Sequence, residues 1–254
     1  NKVKTELFTN FSHELKTPLN VILGTVQMME LKKHPPYGNE ERYLKFLKQN
    51  SLRLVRLINN LIDITKIDAN YLEIHRKNLD IVNLVESITS SVIDFAKCKN
   101  INIIFDTDIE EKVISCDPDY VERIILNLLS NAIKFTPKGG KILVSNEEIN
   151  VSVKDNGIGI PVDKQKDIFN RFEQVDKSLR REHEGSGIGL SLVKLLVNKL
   201  GGNIYLKSRP SKGSEFIVEI PCITIPETSE FKIVDTLICN IVESAIIEFS
   251  DIYC

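Results

Sequence analysis

The chain has 254 residues, 42% of them hydrophobic, with 33 basic and 35 acidic side chains and a formal net charge of −2. That length fills one large core or two modest ones, and the balanced charge excludes the basic footprint of a nucleic-acid or anionic-membrane binder. No window reaches the ~18–20 apolar residues of a membrane span, since Asn240, Glu243 and Ser244 interrupt even the apolar tail. The cysteines at 98, 116, 222, 239 and 254 are odd in number and form no CxxC pair. They read as reduced, mostly packed thiols of a cytosolic protein. The first residue is not Met and a helical pattern is already under way there, so a cut from a longer protein is expected.

Two helical patterns come first. Phe8, Phe11, Leu15, Leu19, Ile22, Val26 and Met29 recur at alternating steps of three and four, and Leu44, Leu47, Ser51, Leu54, Ile58, Leu61, Thr65 and Asp68 repeat the scheme. Steps averaging about 3.5 residues describe a supercoiled seam. Between them KKHPPYGNEE holds Pro35, Pro36 and Gly38 to stop one helix and Asn39 to cap the next. The result is a hairpin about 45 Å long at ~1.5 Å per residue. Two helices cannot enclose such seams alone, so a four-helix bundle from a homodimer is expected.

From about Asn78 the pattern changes. A helix over 80–98 precedes a strand over 101–108 and a short strand before DPDYVERIILNLLSNAIKF, where Asp117 suits an N-cap and Pro118 the first helical position. GKILVSNEE and NVSVKDN alternate as paired strands, and a helix is expected from near Pro161. IGLSLVKLLVNKLG reads as a helix ended by Gly201-Gly202, with NIYLKS and EFIVEI closing the sheet and AIIEFSDIY as one extra strand. Helices and strands mix without regular βαβ alternation, which favours an α+β two-layer sandwich. The boundaries expected are 1–72 for the hairpin, 76–222 for the sandwich and 223–254 for a C-terminal extension.

Two glycine clusters, DNGIG (155–159) and GSGIG (185–189), stand out. Neither fits a dinucleotide fingerprint, position 190 being Leu, and GxxxxGK[ST], HRD and DFG are missing from the sequence. The second cluster is a glycine-rich turn opening a helix, whose free amides suit phosphate. In the first, Asp155 ends a strand where it can accept a hydrogen bond from a base bearing an amino group, and Gly157 and Gly159 allow close backbone approach. On helix 119–135, Asn127, Asn131 and Lys134 share one face. Two solvated asparagines would be the plain reading. Beside the glycine clusters a metal–phosphate face is preferred, with amide oxygens toward Mg²⁺ and Lys134 toward phosphate.

HELKTP, NLLSNAIKFTP, DNGIGI, IFNRFEQ and GSGIGLSL, in this order, resemble the H, N, G1, F and G2 boxes of bacterial sensor histidine kinases. The resemblance runs to about Pro221. It implies a dimerisation and histidine-phosphotransfer hairpin followed by a Bergerat-type (GHKL) ATP-binding domain, with ATP and Mg²⁺ bound. By position His13 would be the phosphoacceptor and Asn131 the Mg²⁺ ligand, supported by Asn127. Lys134 and Phe135 would lie beside the nucleotide, Asp155 would recognise adenine, and Gly157, Gly159 and Ile160 would form that wall. Phe172 and Leu190 would also border the nucleotide, and Gly185, Gly187 and Gly189 would hinge a lid. Where many relatives carry an arginine near the phosphates this chain has Gln174, leaving Arg171, Arg180 or Arg181 to substitute. The partner implied is the receiver domain of a response regulator, and the family expectation is a cytoplasmic fragment of a membrane-anchored sensor.

FSHELKTPLN takes its meaning from that setting. His13 sits about 200° from Phe11 on the helix wheel and projects away from the seam. A neutral imidazole can use one nitrogen as nucleophile while Glu14 holds the proton on the other. Thr17, at i+4, shares the histidine's face, and its hydroxyl can instead bond back one turn. In the family an acid followed by xxT belongs to members that also dephosphorylate the regulator. Pro18 removes a helical hydrogen bond beside the histidine, a bending point in this reading. The alternatives are an ATP-hydrolysing switch and an inactive dimerisation scaffold. Against the switch, Asn127 stands where such enzymes place a glutamate base.

Overall fold

A computed structural model describes residues 2–31, 40–69, 71–147, 150–171, 187–224 and 235–252. The expected hairpin is formed by α1 (Lys2–Leu31) and α2 (Glu40–Asp68), with Pro18 inside α1. The seam is only half closed. Of its positions Phe11 is buried, whereas Leu19, Val26, Leu44 and Ile58 remain exposed. On α2 the buried positions include Arg53, Arg56, Asn60 and Asp63. The buried side of this helix therefore mixes charged and polar side chains with Leu57, Ile64 and Ile67, while Leu44, Val55, Ile58 and Ile62 leave an apolar stripe facing outward.

The second unit is built on a five-stranded sheet of order β2-β4-β5-β7-β6, comprising β2 (Asn102–Thr107), β4 (Lys141–Asn146), β5 (Asn150–Asp155), β6 (Asn203–Arg209) and β7 (Gly213–Glu219). β2 and β4 run parallel and every other pair antiparallel. Alternation buries Ile142 and Val144, Val151 and Val153, Phe216 and Val218. Their partners in the core come from α3 (Ile81–Ser91), α5 (Pro118–Phe135) and α6 (Gly189–Leu200), through Val85, Ile88, Ile124, Leu128, Leu192 and Leu196. This is the α+β sandwich. Asp117 caps α5 as expected, its Oδ1 accepting from the amides of Asp119 at 3.1 Å and Tyr120 at 3.4 Å, with Pro118 at the helix start. Gly201, at φ +86°, ends α6 in the left-handed conformation that glycine adopts without strain.

Five expectations need correction. The helix over 80–98 is two helices, α3 and the short α4 (Ile93–Cys98), broken at Val92. A strand was missed: β1 (Lys77–Asp80) pairs antiparallel with β3 (Val113–Cys116). The stretch from Pro161 is a chain of turns, with successive bonds from Lys164 N to Pro161 O, Asp167 N to Lys164 O and Asn170 N to Asp167 O. The tail is helix α7 (Asp235–Glu248) followed by turns, not a strand. Its Ile241, Ala245, Phe249 and Ile252 are all buried, and this four-four-three spacing overrides the strand preference of the β-branched residues. Cys98 is disulfide-bonded, against the reading of five reduced thiols, since a scatter along the sequence says nothing about proximity in space. Cys116 is free and buried and Cys222 free and exposed. No described helix is long and apolar enough to cross a membrane.

Candidate functional site

Helix α5 carries one wall of the site. Asn127 and Lys134 are buried and Asn131 half-buried, one turn apart on the face anticipated from their spacing. The two glycine clusters close on this helix from opposite ends. A Cβ added at Gly189 would strike Asn127 Oδ1, and one added at Gly157 would strike the carbonyl oxygen of Phe135. The amide of Ile158 also donates to Phe135 O at 3.3 Å. Side-chain size at 157 and 189 is therefore set by contact with α5, and Asn127, Phe135 and both loops come together.

Asp155 ends β5 with its carboxylate inside. Oδ1 accepts from Gly157 N at 2.8 Å and from Ser214 N at 3.3 Å. Oδ2 takes no hydrogen bond from the described residues, which leaves one acceptor unused. Burial raises the carboxyl pKa above its ordinary value, and the two amide bonds partly offset this. Two backbone positions make the approach possible: Gly159 at φ +66° passes Arg209 O, and Gly213 at φ +90° passes Asp155 O, both too close for a Cβ. Ile160 is buried and donates its amide to Ser208 Oγ at 2.8 Å, while Gln165 Nε2 ties Ile160 O to Ser208 O. Ser208, Ser214 and Gln165 carry no motif of their own, so this supporting shell was invisible in the sequence.

Lys134 lies where expected on α5, but its partner was not foreseen. Its Nζ donates to Asp251 Oδ2 at 3.1 Å, and Arg56 grips the same carboxylate with Nη1 and Nη2 at 2.9 Å each. Burial opposes ionisation of Asp251, yet the charges of Arg56 and Lys134 hold it well below the usual carboxylate range. Burial lowers the Lys134 pKa, and Asp251 counteracts the shift. Arg171, one candidate for a phosphate-facing arginine, makes a two-pronged pair with Asp68 of α2 at 2.9 and 2.6 Å. Phe172, Gln174, Arg180, Arg181 and Gly185 lie outside the described residues. Gly187, at φ +65°, and Leu190 flank the start of α6.

On the hairpin His13 and Thr17 are exposed and Glu14 is half-buried. The Thr17 hydroxyl bonds back to the His13 carbonyl at 3.4 Å. Ion pairs between hairpin and sandwich run through α2, by Asp63 with Arg123 and Asp68 with Arg171, whereas His13 is on α1.

Fold and site define a helical hairpin presenting an exposed histidine, joined to an α+β sandwich with a glycine-lined pocket wall. Residues 3–70 match the His Kinase A (phospho-acceptor) domain, and residues 116–224 match the histidine kinase-, DNA gyrase B- and HSP90-like ATPase family. The chain belongs to the sensor histidine kinases and comprises their phosphoacceptor and ATPase domains. It is 34% identical over 230 residues to hybrid signal transduction histidine kinase D of Dictyostelium discoideum, covering 87% of this chain and 15% of that protein. Across the first curated relatives it spans only 15% to 31% of their length. Full-length ShkA in complex with AMPPNP superposes with a TM-score of 0.66 at 27% identity, over 87% of this chain and 47% of that one. Histidine kinase ThkA in complex with response regulator TrrA gives 0.64 at 25% identity, over 85% and 61%.

Proposed function

We propose that this chain binds MgATP between α5 and the two glycine loops and transfers the γ-phosphoryl group to His13. The observation that carries the reading is the convergence of Gly157 and Gly189 on α5, which frames Asn127, Asn131 and the open Oδ2 of Asp155. Asp155 Oδ2 accepts from the adenine amino group, with Ile160 beneath it. No group of three or more His, Cys, Asp or Glu gathers among the described residues. A metal here relies instead on amide oxygens and substrate phosphates, the mode that suits Mg²⁺. Asn131 and Asn127 would hold that ion, which neutralises charge on the phosphates. The free amides at the start of α6 receive phosphate oxygens. An imidazole nitrogen of His13 attacks in line, forming the N–P bond as the bond from γ-phosphorus to the bridging oxygen breaks and ADP departs. Glu14 holds the proton on the other ring nitrogen.

The phosphoryl group then passes to an aspartate of a response-regulator receiver domain, a partner supported by the solved ThkA–TrrA complex. The exposed apolar stripes of α1 and α2 support a homodimeric four-helix bundle. Thr17, with its hydroxyl one turn from the histidine, orients a water that attacks the phosphorus of the regulator's aspartyl phosphate, breaking the phosphorus–oxygen bond to the carboxylate and releasing inorganic phosphate. Incubation with γ-labelled ATP is the test. Acid-labile, base-stable label on the protein, lost in His13→Gln, is expected. Phosphate release without protein label would mean an ATPase switch, and failure to bind nucleotide an inactive scaffold.

A further inference from the structure

The tail beyond the sandwich carries an acid that no family motif accounts for. Ile241, Ala245, Phe249 and Ile252 are sunk in the core, and Phe249 packs on Phe95 with ring centroids 4.9 Å apart. That anchoring fixes Asp251 in the seam between hairpin and sandwich. One carboxylate there takes three charge-assisted hydrogen bonds, two from Arg56 of α2 and one from Lys134 of α5. The seam is dry: side-chain exposure is 3% for Asp251 and 10% for both cations. Arg56 donates in addition to the carbonyl of Glu248 and lies within electrostatic reach of Glu14, the neighbour of His13.

We propose that α7 and Asp251 form a built-in competitor of the nucleotide, in which the carboxylate occupies Lys134 in place of phosphate and ties the ATP-binding domain to α2. This rests on the nucleotide site proposed above. A lysine ammonium on one stem serves one anion well at a time, and a carboxylate left beside a triphosphate adds like-charge repulsion. Removing a buried carboxylate from two cations is costly unless another anion replaces it, and the phosphates are that replacement. Release of Asp251 also breaks the link between Lys134 and Arg56, leaving Asp63–Arg123 and Asp68–Arg171 as the ion pairs that hold the domain on α2 and so loosening it for movement toward the histidine on α1. The tail thus restrains phosphorylation until nucleotide or another signal displaces it. By linkage, the factor by which the tail weakens nucleotide binding equals the factor by which nucleotide loosens the tail.

The experiment follows amide hydrogen exchange of residues 235–252 in the unaltered protein, with and without saturating Mg-AMPPNP, beside Mg-AMPPNP binding to wild type and Asp251→Asn. Exchange in α7 should quicken on the order of tenfold with nucleotide, and Asp251→Asn should bind it on the order of tenfold more tightly and label His13 faster. Nucleotide bound with α7 unchanged or better protected overturns the proposal alone, as does weaker or equal binding by a folded Asp251→Asn. If that variant does not fold, exchange in the unaltered protein decides. If no form binds nucleotide, the site itself is refuted and the competition with it.

Discussion

Replacing Asp155 with Asn isolates the base-recognition step. The amide has the shape of the carboxylate, and its Oδ1 still accepts from Gly157 N and Ser214 N, so the loop keeps its geometry. The second position changes from acceptor to donor. An adenine amino group arriving there meets N–H against N–H, and flipping the amide only moves the conflict onto the two backbone amides. A lost charge-assisted hydrogen bond is worth about 1.5–3 kcal/mol, and a buried unsatisfied donor about 1–3 kcal/mol more. ATP should therefore bind roughly 2.5–6 kcal/mol more weakly, about sixtyfold to twenty-thousandfold. The unliganded protein should not suffer. Burial raises the Asp155 pKa, a desolvation cost on the charged carboxylate that a neutral amide does not bear. Calorimetric titration with Mg-AMPPNP measures the loss, and a thermal melt should show Asp155→Asn no less stable than wild type. Affinity within about threefold of wild type, at an equal melting temperature, would place adenine elsewhere.

Leu19 and Ile58 are 45% and 46% exposed on the hairpin's open stripe. Glutamate at both should turn the proposed dimer into a monomer in sedimentation velocity, because burying each side chain is worth about 1.5–3 kcal/mol and symmetry doubles the loss. A dimer that survives would mean this stripe is not the seam. Burial, aided by the charge of Asp117, pushes the Cys116 thiol up to about 12. The unfolded thiol loses its proton near ~8.5, so above that pH the unfolded chain binds fewer protons than the folded one. Stability should fall by about 1.4 kcal/mol per pH unit from this group between ~9 and 12, a slope missing from Cys116→Ala in denaturant titrations. Equal slopes for the two proteins would refute the assignment.

Much of this molecule was legible in the sequence, where signals were local. The 3.5-residue recurrence announced the hairpin, Asp117-Pro118 and Gly201-Gly202 marked the ends of α5 and α6, and Asn127, Asn131 and Lys134 fell on one face as their spacing required. The failures share a cause. AIIEFSDIY looks like a strand by composition, yet Ile241, Ala245, Phe249 and Ile252 were already spaced for a helix that must pack against α2, α3 and α5. β1 is four residues, KNLD, with one apolar side chain, too short for alternation to register. The grip of Asp251 on Lys134 and Arg56 spans separations of 117 and 195 residues, and nothing local records such a meeting. The partners of Asp155 were hidden differently, being main-chain amides that any sequence supplies.

That last feature bears on how the chain tolerates change. Position 157 supplies an amide from a place where a Cβ would collide with the Phe135 carbonyl, so glycine is required there. Position 214 supplies an amide too, and the hydroxyl of Ser214 only meets that of Ser208, which keeps bonds to Ile160 N and Gly213 O without it. The amide's role makes no demand on the side chain except that it not be proline, which has no N–H, although Ser214 is buried and the site limits side-chain size. One half of the carboxylate's support is thus written in a single permitted letter, the other in any letter that keeps an N–H and fits a buried position. Drift at 214 can alter what surrounds the pocket while its recognition of a base stays in place.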